Sequence, residues 1–347
     1  MKGSLLVLGA IKGRDVAALI LDGRLDELAL EPASLAPGAI LRGRAGRPMK
    51  GQGGLFVDLP EGQRGFLRQT KGIAPGQALL VQVSGHAEPG KAPPLTLKPA
   101  LRGRFAVLTP GAPGLNISRA IRDQDLRADL DALAARVMLG APEGLGLILR
   151  SACAEADLDA VAQEAADLRA LAEAIATDTD GPPERLLDPP APRDIAWRDW
   201  PAPDAVDDNA GALDRHGVLA ALDDLMRAEV ALPGGGSMVI EPTRALVAVD
   251  VNTGNDSGPA AGLKASVAAA RDLPRQLRLR GLGGQVVIDF APCPKKDRHV
   301  VEQTLRKAFR GEGVETVLAG WTPLGNFEIQ RRRDRVPLAE WMQGGAA

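Results

Sequence analysis

Aromatic side chains are scarce in this 347-residue chain: they make up 3% of it, and tyrosine is missing altogether. Any function that depends on ring stacking must rest on a few identifiable rings, which makes Phe56 and Phe66 candidates. Cysteine and histidine are equally sparse. With two cysteines, Cys153 and Cys293, and scattered histidines at His86, His216 and His299, no metal-ligand spacing emerges, and no structural zinc is expected. No apolar run approaches the roughly 18 residues a membrane span requires. The opening MKGSLLVLGAIKG passes into charged sequence without a cleavage-like site, so a cytoplasmic location is expected. An excess of one charge is missing too. Lys plus Arg number 42 against 44 for Asp plus Glu, a net charge of -2, which excludes a polycation that coats nucleic acid indiscriminately. A nucleic-acid site would have to be a local patch.

Hydrophobic residues at 45% and charged residues at 25% are ordinary globular usage, and 347 residues exceed the usual single-domain size, so two or more compact units are expected. Residues 4–9 and 16–22 read as a short hairpin, followed by a polar stretch. From 37 to 98 the texture becomes short strands punctuated by Gly and Pro, which suggests a small barrel of the OB type. Residues 104–150 mix strands, a basic loop from Asn116 to Arg122 and a helix near 125–139, and end in the strand GLGLILR; Ala and Leu spacing predicts a helix over 155–176. The stretch 178–212 is dense in Pro and Asp and reads as a linker or reduced segment, docked by Trp197 and Trp200. The last third alternates elements: helix 214–230, hairpin 236–251, helix 261–280, strand 285–290, helix 297–309 and strand 314–319, an α/β layered pattern. Pro274 is expected to kink or break the helix that holds it.

Two carboxylates carry the chemistry. ALVAVDVNTG places Asp250 at the end of an apolar strand with Asn252 two positions on, on the same face, and QVVIDF repeats the arrangement with Asp289. Two such carboxylates on neighbouring strands form a hard-cation site suited to magnesium, which takes oxygen ligands and keeps waters for a phosphate to replace. The alternative reading is that each Asp caps the turn or helix after its strand. Cations flank the pair: Arg275, Arg278 and Arg280 before it, Lys295, Lys296 and Arg298 after it, and Arg331 to Arg333 near the end. Each arginine alone also has a plain reading, as a solvated or ion-paired helix-face residue partnered by Glu302 or Asp272. For Phe56 the alternative to stacking is a place in the barrel core, although Leu55 and Val57 already offer core residues.

LPGGGSMVIEPTRALVAVDVNTG, RQLRLRGLGGQVVIDF and PLGNFEIQRRR together resemble the ribonuclease E/G family. LFVDLPEGQRGFL looks like that family's inserted OB-fold, and NISRAI and GLGLILRSA look like its sensor for a 5′-monophosphate, so nearly the whole chain is covered. The resemblance implies an α/β multidomain fold: a ribonuclease-H-like part (1–36, with a shortened second part and linker at 178–228), an OB-fold (37–98), a 5′-sensor subdomain (99–177) and a deoxyribonuclease-I-like catalytic domain (229–342). It implies a magnesium-dependent endoribonuclease, with Mn2+ as a substitute, acting on single-stranded RNA and leaving 5′-phosphate and 3′-hydroxyl ends. Asp250 and Asp289 would bind the metal and Asn252 would orient the site. By the resemblance Phe56, Phe66 and Lys91 would hold RNA and Arg150 with Ser151 would grip the 5′-phosphate; from the cation cluster itself, Arg278 and Arg280 are expected to contact RNA as well. The family usually has Thr where Ser151 stands.

The sequence departs from the family in ending at WMQGGAA without the paired-cysteine zinc link or the small dimerisation domain of longer members, so a zinc-linked tetramer is not expected. Pro274 and the APCPKK run after Asp289 also differ and bear on the metal geometry. The competing readings are a non-catalytic RNA-binding or regulatory protein on the same fold and, on fold analogy alone, a DNA-directed nuclease.

Overall fold

The computed structural model describes residues 2–49, 51, 53–69, 71–88 and 90–344. The chain forms two compact units, Met1–Glu31 with Pro203–Ala347, and Pro32–Ala202. It opens with the antiparallel strands β1 (Ser4–Ile11), β2 (Arg14–Leu21) and β3 (Arg24–Leu30). The two-residue turns Lys12–Gly13 and Asp22–Gly23 hold both residues at positive φ, the primed geometry that matches strand twist. The sequence pattern finds the first hairpin but not β3. A register shift opposite Leu19 and Ile20 breaks its alternation, so that Leu25, Leu28 and Ala29 are its buried residues.

In the unit Pro32–Ala202 the strands β4 (Ile40–Met49), β5 (Gly54–Asp58), β6 (Arg64–Leu67), β7 (Ala78–Val83) and β8 (Pro94–Thr96) pair in the order β4-β5-β6-β8-β7, and β7 returns to β4. The result is a closed five-stranded barrel, consistent with the expected OB-fold insert. Leu41, Leu55, Val57, Leu67, Val81 and Leu95 fill it, alternating along each strand as a pleat requires. Next come β9 (Leu101–Arg102), β10 (Ala106–Pro110), β11 (Gly114–Ile117), α1 (Gln124–Val137), β12 (Leu145–Leu149) and α2 (Leu158–Thr177). The four strands form a sheet ordered β11-β12-β10-β9, and its Leu108, Leu147 and Leu149 pack in one core with Leu130, Leu133, Val161 and Ala165 of the helices. Asp123 and Asp157 cap the helices, each carboxylate accepting backbone N–H bonds of the first turn.

The Pro-rich stretch is more than a linker. It carries β13 (Glu184–Leu187), which adds to β4, and α3 (Pro192–Asp199). Pro192 starts α3 at a position where its missing N–H is no loss. Trp200 is buried as expected, whereas Trp197 is 40% exposed. Arginines from outside the helix clamp its C-terminal end. Arg104 donates to the carbonyls of Trp197 and Trp200, and Arg150 donates from Nη1 to the Arg198 carbonyl at 3.1 Å and from Nη2 to the Asp199 carboxylate at 3.0 Å. Cations suit the exposed carbonyls of a helix C-terminus. Burial pushes the Asp199 carboxyl up, but hydrogen bonds and charge from Arg198, and then from Arg150, hold it below its ordinary value.

The second part of the other unit begins with β14 (Ala205–Asp207), parallel to β1, then α4 (Ala212–Arg215) and α5 (Val218–Leu225). One helix over 214–230 is expected from the sequence. Gly217, at φ 69°, interrupts it, and 229–231 is a strand. There follow β15 (Glu229–Ala231), β16 (Ser237–Pro242), β17 (Val247–Asn252), α6 (Ala261–Leu279), β18 (Gly284–Asp289), α7 (Arg298–Phe309), β19 (Thr316–Trp321), β20 (Phe327–Arg331) and α8 (Leu338–Met342). Six strands form a sheet ordered β15-β16-β17-β18-β20-β19, in which β17 and β18 pair in parallel and the others antiparallel. Helix α6 is the crossover such a parallel pair needs. It runs uninterrupted from Ala261 to Leu279 with Pro274 buried inside it, so the expected break is absent.

The arginines of α6 and β20 anchor this unit. Glu312, 4% exposed, accepts from Arg278 and, at 2.8 Å, from Arg331, which is 2% exposed. Arg278 also bonds Asp26 and Glu27 of β3, tying the sequence-distant strand to the helix. Removing the shared carboxylate takes from the buried Arg331 guanidinium its charged partner and leaves it the Thr316 hydroxyl at 3.1 Å. We expect Glu312→Ala to lower unfolding free energy by about 3 kcal/mol or more in denaturant titration. The Asp199 clamp has a pH signature. A carboxyl held below its ordinary pKa contributes stability above the ordinary carboxylate range and loses it as pH falls through the folded value. The melting-temperature gap between wild type and Asp199→Asn is therefore expected at pH 7 and should narrow below about pH 4.

Candidate active site

Side chains at even-numbered positions of β17 leave the core. Val249 and Val251 are buried at 2% and 3% exposure, so period-two alternation turns Asp250 and Asn252 to the opposite, open face. In β18 the buried Val286 and Ile288 do the same for Asp289. The parallel register aligns Asp250 with Asp289, on strands about 4.8 Å apart. The two carboxylates thus sit side by side at the C-terminal ends of adjacent parallel strands, where α/β sheets place ligands. Neither is buried, so neither carboxylate has a desolvation cost for a cation to offset. Neither Asp acts as an N-cap of a described helix.

Asn252 Nδ2 donates to Asp250 Oδ2 at 2.7 Å, fixing that carboxylate and leaving the amide oxygen free of this bond. The segment after it is held by a close approach of two glycine loops. A Cβ on Gly254, whose φ is +61°, would lie 2.1 Å from the Gly235 carbonyl oxygen, so the GGGS loop and the turn after Asn252 fit only without one. Behind Asp289, Phe290 packs against Trp321 and Phe327 at centroid distances of 5.7 and 6.5 Å. Arg298 lies over the Trp321 ring at 4.5 Å, and Lys295 and Lys296 are exposed. Sequence reasoning singled out these cations but missed Trp321, whose position in the apolar run TVLAGW resembles ordinary core.

The donor set fits a hard divalent cation. Two carboxylates and an amide oxygen are the few protein ligands magnesium accepts, and among the described residues no group of three or more His, Cys, Asp or Glu could hold a metal. Waters and substrate oxygens would complete the shell. The flanking arginines need correction. Arg278 is spent on Asp26, Glu27 and Glu312, and Arg280 is 8% exposed, bonded to the Arg227 carbonyl and to Gln276, so neither offers a free guanidinium to RNA. Arg275 pairs with Asp272, and Arg331 with Glu312.

In the other unit, β5 and β6 place Phe56 directly opposite Phe66 on the outside of the barrel, edge to face at 5.6 Å. Leu55, Val57 and Leu67 take the inward positions, so Phe56 is not core. Gly54 makes room for this pair: a Cβ there would lie 2.2 Å from the Phe66 ring. Lys91 is 66% exposed and bonds Glu88 at 2.6 Å. The ends of the parallel strands β11 and β12 bring Ser118 beside Leu149, so Arg119 follows one strand as Arg150 and the exposed Ser151 follow the other. Next to them, burial pushes the Cys153 thiol up to about 11 as it donates to the Phe105 carbonyl, a structural rather than reactive group.

Residues 100–204 and 202–334, more than half of the chain, match the model of the Ribonuclease E/G family. The chain is 28% identical to Ribonuclease E of Nostoc sp. over 92% of its length and 54% of that protein. Ribonuclease E of Escherichia coli K12 is 29% identical over 76% of the chain and 28% of that protein. Ribonuclease G of Salmonella typhimurium is 26% identical over 86% of the chain and 73% of that protein. The chain spans about half the length of the cyanobacterial relatives, 54% and 56%. No described helix is long and apolar enough to cross a membrane. With the family model spanning the β11-β12-β10-β9 sheet and the paired-aspartate sheet alike, the chain belongs to the ribonuclease E/G family.

Proposed function

We propose that this protein is a metal-dependent endoribonuclease acting on single-stranded RNA in the cytoplasm. The observation that carries the reading is the in-register pairing of Asp250 with Asp289 on neighbouring parallel strands, with Asn252 bonded to the first. Asp250 and Asp289 would hold magnesium, or manganese in its place, and the bound ion would supply Lewis-acid charge and an acidified water at the phosphodiester. Asn252 keeps Asp250 in one orientation, and Lys295, Lys296 and Arg298, which follow Asp289 in the chain, would offer positive charge to the RNA backbone. Cleavage would leave 5′-phosphate and 3′-hydroxyl ends.

Holding the strand would fall to the barrel unit. Phe56 and Phe66 offer two ring surfaces that accept any base, and Lys91 offers a phosphate contact. Arg150 and Ser151 would meet a 5′-monophosphate, the arginine through its planar fork and the serine through its hydroxyl. The domain assignments drawn from the family resemblance, from ribonuclease-H-like part to deoxyribonuclease-I-like catalytic domain, belong to the same proposal.

Asp250→Asn should abolish magnesium-dependent cleavage of a short 5′-monophosphorylated oligoribonucleotide while leaving binding, measured in EDTA, within about twofold of wild type. Unchanged cutting would refute the metal-site assignment, and binding without cutting by the wild type would favour a non-catalytic RNA-binding protein. Phe66→Ala should weaken binding of the same oligomer by about 1–3 kcal/mol, at least about fivefold in Kd, measured by fluorescence anisotropy.

A further inference from the structure

Three arginine side chains meet at the C-terminal turn of α3, and two of them share one anion. Arg150 Nη2 donates to Asp199 Oδ1 at 3.0 Å, while Arg198 donates to Oδ2 from Nε at 3.0 Å and from Nη2 at 2.7 Å. Arg104, the third, holds the Trp197 and Trp200 carbonyls. Two guanidiniums converging on one small oxyanion, Arg198 through two nitrogens and Arg150 through one, is an arrangement that also suits a phosphate group. Here the anion is a side chain of the protein itself.

The two ends of Arg150 do different things. Its Nη1 donates to the carbonyls of Gly103 at 2.5 Å and Arg198 at 3.1 Å, bonds that do not involve the Asp199 carboxylate. Its Nη2 contact goes to Asp199, and both partners are open to solvent, at 28% and 31% side-chain exposure. The carboxylate is ionised throughout the neutral range, since Arg198 and Arg150 outweigh its burial and hold it below its ordinary value. The exposed Ser151 hydroxyl follows Arg150 in the chain.

We infer that Asp199 is a specificity-determining residue that occupies the Arg150 guanidinium edge in place of an RNA 5′-monophosphate and so blunts this protein's preference for phosphorylated ends. The inference rests on the reading of Arg150 and Ser151 as the phosphate-binding pair. A terminal monophosphate carries about -1.5 to -2 charges against the single charge of a carboxylate. The carboxylate is nevertheless tethered beside its arginine at high effective concentration, and the incoming phosphate must displace it. Removing the charge of Asp199 frees that edge without touching the Nη1 bonds that hold α3.

The test is equilibrium binding of the full chain, in EDTA, to two single-stranded RNAs of about ten nucleotides that share one sequence. One carries a 5′-monophosphate and the other a 5′-hydroxyl, with a fluorophore at the 3′ end of each. The wild type should bind the two within about twofold, whereas Asp199→Asn and Asp199→Ala should favour the phosphorylated oligomer by about tenfold, with the 5′-hydroxyl Kd unchanged. Combining Arg150→Ala with Asp199→Asn should return the ratio to that of wild type. Asp194→Asn, on the exposed face of the same helix, controls for the loss of one negative charge and should leave the ratio alone. Circular dichroism and melting curves identify the variants that fold. An unchanged ratio in folded Asp199→Asn and Asp199→Ala, or an equal rise in Asp194→Asn, overturns the inference alone. Failure of the wild type to bind either oligomer overturns the RNA reading and the inference with it.

Discussion

The parallel pairing of β17 with β18 is the constraint on which the candidate site depends. Parallel neighbours need a crossover, and α6 supplies it with a face of Ala265, Ala269, Leu273 and Leu277 that packs on the same core as Val249 and Ile288. That core fixes which residues of each strand point inward. Since the pleat has period two, a slip of one residue would bury Asp250 or Asp289 and expose a valine or isoleucine. The hydrophobic effect therefore sets the position of the two carboxylates, and the register aligns them. Local chemistry finishes the arrangement through the Asn252 amide and the glycine contact between Gly235 and Gly254.

Arginine has two roles in this chain, and burial separates them. Arg278, Arg280 and Arg331 lie inside the unit that carries the carboxylate pair and join strands and helices distant in sequence, as in the Arg278 bonds to Asp26, Glu27 and Glu312. Lys295 and Lys296, by contrast, are exposed, and Arg298 lies partly exposed over the Trp321 ring. Arg150 stands between these roles: one end of its guanidinium clamps a helix and the other faces a single exchangeable carboxylate. A guanidinium fork lets one residue do both, which a lysine could not.

The sequence made the alternating strands readable because burial imposes a visible period. β17 and β18 were found in that way, and so were the alternating Leu55, Phe56 and Val57, which put Phe56 outside the barrel. The register that aligns Asp250 with Asp289 was not readable, because no feature of one strand's sequence names the residue opposite it. Elements were missed where the period fails. β3 hides behind a register shift, β20 behind Glu328, Gln330 and Arg331, and α3 behind a proline-dense composition that in fact starts a helix. Arg278 and Arg280 were misassigned for a related reason: charge in a sequence does not reveal whether its partner is a ligand or a buried Glu312 far along the chain.

On the proposed function, the Asp250–Asp289 pair directs hydrolysis of an RNA phosphodiester. Mass spectrometry of the product ends tests it most directly, with purified chain, magnesium and a single-stranded RNA, and with Asp289→Asn in parallel. The wild type should give products that end in 3′-hydroxyl and begin with 5′-phosphate, and the variant none. Products ending in a 2′,3′-cyclic phosphate, or equal yields from Asp289→Asn, would contradict it.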